Sequence, residues 1–383
     1  MLCNDTGSKA HTGCLAVSNA HARLIGRAGH SVSSRYFVNA LAEARRSTLE
    51  ETLKRLRTMS SVMADIEAAD AVVVNGEGTI HHGQGLEYVA LLSIAKERGK
   101  AALLINAVFQ TFPADPAILN KLDDFTVREQ LSLNYAKSLG IRCRFLPDSI
   151  LEASFDPKPH RDFDGGVVVT DWVKTRASDV GAVSSQLLAD HPFSSTWFQP
   201  LHATENRQCW QHFVASFATA DAVVTSRHHA IYLALLAGTP FVAFRSSTWK
   251  IEGLIESLQL SAPLCSSYED VIEGLKWVQQ NKSAFLAARD RLLSFRPLDS
   301  LSSLGSAGKS KEEEEVAQLK VDIENQHKSL KADDLSNAKR RMNEQTQLVN
   351  VLRYHQPRLD SAKSLLSWRK WSKIRKRLSQ FLR

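Results

Sequence analysis

The sequence predicts an α/β protein made of two doubly wound, Rossmann-like halves followed by a helical extension. Three observations carry this prediction. Short valine-rich apolar runs alternate with stretches of helical period, the βαβ rhythm of a parallel sheet. The rhythm pauses at a Pro-, Asp- and Gly-rich stretch over residues 155–166 and then restarts. The length, 383 residues, exceeds one ordinary core.

The expected divisions are an N-terminal half over 1–155, a second half over 165–297 and an extension over 311–383. The first half opens with residues 1–3, a strand either very short or begun upstream, then a polar loop over 4–7. Leu15, Ala16, Ala20 and Leu24 recur at helical spacing and Gly29 ends that helix. A helical region over 41–69 precedes a buried strand at 71–74 and a tight turn at 75–79. A helix to about 98 and a strand at 101–106 follow. Strands at 125–128 and 144–146 flank a helix at 129–139. In the second half, strands are expected at 167–171, 222–225 and 241–244. The helices expected there cover 179–188, 206–220, 229–237 and 268–279, with an aromatic loop near Trp197.

Composition excludes several classes. With 43% hydrophobic and 23% charged residues, the chain is ordinary for a soluble globular protein. No apolar run approaches the ~20 residues that span a bilayer, and the first residues do not read as a secretory signal. The five cysteines are odd in number, widely spaced and free of CxxC pairs. That pattern argues for a reducing cytosol and against a disulfide framework or zinc ribbon. The net charge of +7 suggests nucleic acid only until it is located. Eight Lys or Arg fall in residues 361–383, which hold no acid, so the body is close to neutral and no nucleic-acid partner is expected. In that segment Trp368, Trp371, Ile374, Leu378, Phe381 and Leu382 share one helical face. A cationic amphipathic helix of this kind suits an anionic membrane surface, the protein's own body or a partner. Residues 298–310 read as a flexible Ser/Gly segment, and 311–352 as a charged helix with a sparse apolar stripe.

The chemistry concentrates in residues 221–253, a strand, an Arg-His-His turn, an apolar helix, a Gly-Thr-Pro turn, a second strand and a lysine. Cations at the carboxyl end of a strand, where a helix begins, are placed to bind anions in an open α/β sheet. Arg227 offers a fixed fork for phosphate or carboxylate, and a neighbouring histidine can move a proton near neutral pH. Adjacent residues at a helix start diverge, so only one of His228 and His229 is expected to share the cleft with Arg227. Lys250 belongs to the same sheet edge. Asn75, Gly76, Glu77 and Gly78 form a glycine turn in the first half, which would place Glu77 in the cleft as a base or a sugar-hydroxyl ligand. Arg128 ends a strand there as well, and Asp148 fits a turn cap better than a cleft residue. The pair His81-His82 is too close in sequence to act as a metal pair on a helix face and no H-E-x-x-H occurs, so no metal site is expected.

Together these residues resemble the polysaccharide pyruvyl transferase family. The resemblance rests on Ser226-Arg227-His228-His229-Ala230, on Gly238-Thr239-Pro240 and on Lys250. Asn75-Gly76-Glu77-Gly78-Thr79, Val127-Arg128-Glu129 with Ser132, and Pro147-Asp148 support it in the right order. His228 stands where leucine is usual, and Glu77 where a third glycine is commoner. The resemblance covers roughly residues 4–260 and implies a GT-B-like arrangement of the two halves. It implies transfer of pyruvate from phosphoenolpyruvate to a saccharide or lipid-linked saccharide in surface-glycan synthesis, without a cofactor. His229, Arg227 and Glu77 would be catalytic. Lys250, Arg128, Asn75, Gly76, Gly78, Ser226 and His228 would bind substrate. The alternatives are a GT-B glycosyltransferase using a sugar nucleotide and a non-catalytic glycan-assembly factor. The expected location is cytoplasmic, with the basic tail on the inner face of the membrane.

Overall fold

A computed structural model describes residues 1–155, 163, 165–172, 177–190, 195–202 and 210–304. The charged helix at 311–352 and the basic tail at 361–383 lie outside these described residues, as does most of the 155–166 linker.

The first half holds strands β1 (Leu2–Asp5), β2 (Arg35–Phe37), β3 (Ala71–Asn75), β4 (Ile80–His81), β5 (Ala101–Ala107), β6 (Phe109–Gln110), β7 (Asp124–Val127) and β8 (Arg144–Phe145). Its helices are α1 (Thr12–Arg27), α2 (Leu49–Arg57), α3 (Ser60–Ala68), α4 (Leu86–Glu97) and α5 (Gln130–Ser138). Six strands form one parallel sheet in the order β2-β1-β3-β5-β7-β8. The period of two assigns its faces. Leu2, Val73, Leu103 and Ile105 point to one apolar cluster, and Cys3, Val72, Val74 and Leu104 to the other. The second half holds β9 (Val167–Val169), α6 (Ala177–Asp190), β10 (Thr196–Phe198), α7 (Trp210–Phe217), β11 (Ala222–Thr225), α8 (His228–Ala237), β12 (Phe241–Phe244), α9 (Lys250–Ser257), β13 (Leu264–Cys265), α10 (Tyr268–Gln280) and α11 (Lys282–Leu293). Its parallel sheet runs β10-β9-β11-β12-β13.

The expected α/β class and both parallel sheets are present, with several corrections. The first strand spans Leu2–Asp5, because Asn4 and Asp5 continue it instead of opening a loop. The helical region at 41–69 is broken at Thr58 and Met59 into α2 and α3. Residues around Trp197 are not a loop; they pair with Val167–Val169 as the edge strand β10. Lys250, after β12 and a polar turn, is the first residue of α9. Strands β2 and β13 and helix α11 were not foreseen.

One apolar cluster runs through both halves. It joins Leu2, Ala16, Leu24 and Ile105 to Val168, Val223 and Ile231. Helix α1 carries much of this continuity, and its first turn is tied to the second half by Thr12 N–H donating to Leu201 O at 2.8 Å.

Candidate active site

The carboxyl ends of β1, β3 and β5 each finish on an asparagine or run into one, and these amides build a scaffold. Asn4 donates to Asn75 O at 2.6 Å and accepts from the Tyr88 hydroxyl at 2.9 Å. Asn106 donates to Asn75 Oδ1 at 3.3 Å, and its own Oδ1 accepts from Ser149 N–H at 3.1 Å. Asn4 and Asn106 both adopt positive φ, a conformation asparagine tolerates better than most residues. The scaffold ends at Asn75, whose Oδ1 accepts from Glu77 N–H at 3.1 Å and whose amide approaches Glu77 Oε2 at 3.4 Å. Gly76 is obligatory here: a Cβ would come 2.5 Å from the Ala107 side chain and 2.7 Å from its Cα. Gly78 completes the turn at φ +59°.

Glu77 is thereby buried, and its carboxylate is held by a second donor, the Thr6 hydroxyl, at 3.1 Å. Burial alone would raise its carboxyl. The charges of His229 and Arg128 outweigh that penalty and hold it below the ordinary range. Across from it, β11 ends in Thr225 and α8 begins at His228, with Arg227 as its N-cap residue. His229 points toward the first half: its Nε2 lies 3.3 Å from Glu77 Oε1 and 3.6 Å from Asp148 Oδ2. The ring seats against Gly13 in the first turn of α1, where any Cβ would overlap its Cβ, Cγ and Nδ1.

His228 diverges as expected. It stacks on Tyr232 at 5.0 Å with an interplanar angle of 19°. Burial, then the charge of Arg128, drives its pKa well below the usual value. Neither of its ring nitrogens has a hydrogen-bond partner among the described residues, and the same holds for the Ser226 hydroxyl. Arg227 is ion-paired to Asp171 and donates to Trp172 O at 3.2 Å. Lys250 is drawn down to about 8 by burial, then by Arg128, and stands within electrostatic reach of Glu77 and Arg227.

Arg128 is 2% exposed and ion-paired with Asp148. Asp148 fills both roles considered for it. One oxygen caps the following 3-10 turn by accepting from Ile150 N–H at 2.8 Å, and the other meets Arg128 and faces His229. Burial opposes the Asp148 charge, but Arg128 and His229 keep its carboxyl far below the usual range. Two further residues escaped the sequence reading. His11 is the N-cap residue of α1, with its ring 5.7 Å from that of His229. Cys14 lies one turn on, its thiol donating to Glu77 Oε1 at 3.5 Å. Donor atoms of His11, Cys14 and His229 lie within 4.8 Å of one another, so a potential ligand cluster exists where none was expected. His229 stands more than 200 residues from His11 and Cys14, beyond any local spacing rule. His81 and His82 remain peripheral, with His82 Nε2 3.1 Å from Ser247 O.

Two parallel, Rossmann-like sheets thus meet at a buried imidazole, two carboxylates and flanking cations. The chain belongs to the polysaccharide pyruvyl transferase family, whose model matches residues 18–248. That span includes Glu77, Arg128, Asp148, Arg227 and His229, and leaves His11, Cys14 and Lys250 just outside. Among solved structures, the chain is similar to a putative UDP-N-acetylglucosamine 2-epimerase from Listeria monocytogenes, with 14% identity and a TM-score of 0.51, over 73% of this chain and 89% of that one. It also aligns with the UDP-GlcNAc 2-epimerase of Neisseria meningitidis at 12% identity and a TM-score of 0.47, over 75% and 92% of the two chains. At such identities the likeness is one of fold alone. No curated protein matches the chain. No helix among the described residues is long and apolar enough to cross a membrane.

Proposed function

We propose that this transferase moves the pyruvyl group of phosphoenolpyruvate onto a saccharide or lipid-linked saccharide in the synthesis of a surface glycan. The observation that carries the reading is the convergence of His229 Nε2 on Glu77 Oε1 at 3.3 Å, with Arg227 and Lys250 at the same cleft.

Phosphoenolpyruvate presents a phosphate and a carboxylate. Arg227 and Lys250 would hold them, aided by the N–H groups at the start of α8, whose N-cap residue makes no side-chain cap. Nε2 of His229 faces two carboxylate oxygens, so this nitrogen carries the proton. His229 delivers that proton to the methylene carbon, which becomes a methyl group and leaves the adjacent carbon electron-poor. A sugar hydroxyl attacks that carbon, and its proton returns to the His229–Glu77 pair. A second hydroxyl then displaces the phosphate, which departs with the remaining proton, and a pyruvate ketal results. Where a third glycine is commoner in the family, Glu77 would add a carboxylate to the proton path. Ser226 and His228, with polar atoms unpaired among the described residues, would contact donor or acceptor. Arg128 would act from behind Asp148, by setting the field on His229 rather than by gripping the donor. The reaction would take place in the cytoplasm, with the basic segment 361–383 on the membrane's inner face.

Incubation with labelled phosphoenolpyruvate and a panel of oligosaccharide and lipid-linked acceptors should transfer label, and His229→Ala should abolish transfer. Thermal stabilisation by nucleotides but not by phosphoenolpyruvate would instead indicate glycosyl transfer from a sugar nucleotide. A cellular role that survives His229→Ala would indicate an assembly factor.

A further inference from the structure

We propose that His11, Cys14 and His229, joined by Glu77, form a binding site for a thiophilic divalent cation of the zinc class. The site is built, not incidental. All four residues are buried, and donor atoms of the three nitrogen and sulfur ligands lie within 4.8 Å of one another. Glu77 Oε1 closes the set, 3.5 Å from Cys14 Sγ and 3.3 Å from His229 Nε2. In a tetrahedral shell with bonds of ~2.0 Å to nitrogen or oxygen and ~2.3 Å to sulfur, neighbouring donors sit about 3.3–3.5 Å apart. The two measured separations already have that spacing, and the remaining ones among His11, Cys14 and His229, none above 4.8 Å, require only a modest contraction.

Local sequence supplies half of the site. His11 caps α1 and Cys14 stands in its first turn, so His-x-x-Cys presents two donors from one helix start. Gly13 between them leaves the space that the His229 ring enters. The contacts here are long: His11 Nδ1 accepts from Cys14 N–H at 3.4 Å, and the thiol reaches Glu77 at 3.5 Å. The charges also fit. A thiolate and a carboxylate neutralise a dication, while Arg128 and Arg227 are already paired with Asp148 and Asp171. Two nitrogens, one sulfur and one carboxylate form a donor set that suits zinc over magnesium or calcium.

Occupancy would take the Nε2 lone pair of His229 and withdraw this ring from proton transfer. The cation would therefore be an off-switch for the proposed reaction, not its cofactor. The binding test does not depend on that reaction. Full-length protein freed of metal is dialysed against zinc and titrated with cobalt(II). One equivalent should bind, and the cobalt form should show a thiolate charge-transfer band with tetrahedral visible bands. Cys14→Ser should abolish the charge-transfer band. Cys14→Ser and His11→Gln should each weaken zinc binding by more than about tenfold, since loss of even an outer-shell partner costs that much. Melting curves of the metal-free variants that match the parent exclude misfolding. Absence of stoichiometric zinc binding by the parent protein overturns the proposal, as does a cobalt spectrum unchanged in Cys14→Ser. Either result leaves the phosphoenolpyruvate assay untouched, and a failed transfer assay leaves the metal titration untouched.

Discussion

Glu77 Oε1 and His229 Nε2 stand 3.3 Å apart, one on a glycine turn of the first sheet and the other at a helix start of the second. The contact joins positions 152 residues apart in sequence. Glu77→Gln keeps the shape and removes the charge beside the imidazole. It should lower kcat by about a hundredfold, the lower end of what general acid–base groups contribute, with the donor KM little changed. Steady-state kinetics with phosphoenolpyruvate checks this, and an unchanged kcat would remove Glu77 from the proton path.

Lys250 gives the donor site a pH limit. Its folded pKa is about 8, lowered by burial and then by Arg128. As pH rises through about 8, the ammonium is lost and the donor anion is held by one charge fewer. The KM for phosphoenolpyruvate should climb above that pH, and Lys250→Arg should flatten the rise. Stability moves in the opposite sense. Between pH 8 and the unfolded value of ~10.4, the unfolded chain binds more protons, so the burden of burying this charge fades as pH rises across the window.

Arg128 and Asp148 form a buried pair, with Arg128 only 2% exposed. Asp148→Ala would strand the guanidinium without its partner. Breaking such a pair costs about 3–5 kcal/mol, so urea melts should shift by that amount. Arg128→Met combined with Asp148→Ala should recover part of the loss. A single variant as stable as the parent would show that Arg128 finds another partner.

The basic segment at 361–383 carries its own test. Its deletion should weaken sedimentation with anionic vesicles while leaving transfer to soluble acceptors intact. Equal vesicle binding with and without the segment would rule out its membrane role.

Much of the fold was legible because its signals are local. Val72, Val73 and Val74, and Val223 and Val224, are apolar runs bounded by turns, and Gly238 ends α8 at φ +76° as a helix-terminating glycine should. Strands β2 and β10 were not legible, since three residues are too few to establish a period of two. The site divides in the same way. Arg227 and His229 were visible from the strand and helix that present them. His11 and Cys14 were not, because their relevance depends on where α1 meets α8. Asp148 looked like a cap and is one, but its second oxygen acts only through the tertiary approach of Arg128 and His229.

The apolar cluster that runs from Leu2 and Ala16 through to Val223 and Ile231 has a thermodynamic consequence. Two lobes with separate cores would melt as separate units, each with its own midpoint. A shared core couples their free energies, so residues 1–304 should lose both sheets in one cooperative transition. A calorimetric trace with a single peak, unresolved by sheet-specific probes, would register that coupling. Proteolysis would then release no stable half-molecule, since the first sheet shares one of its two apolar faces with the core of the second.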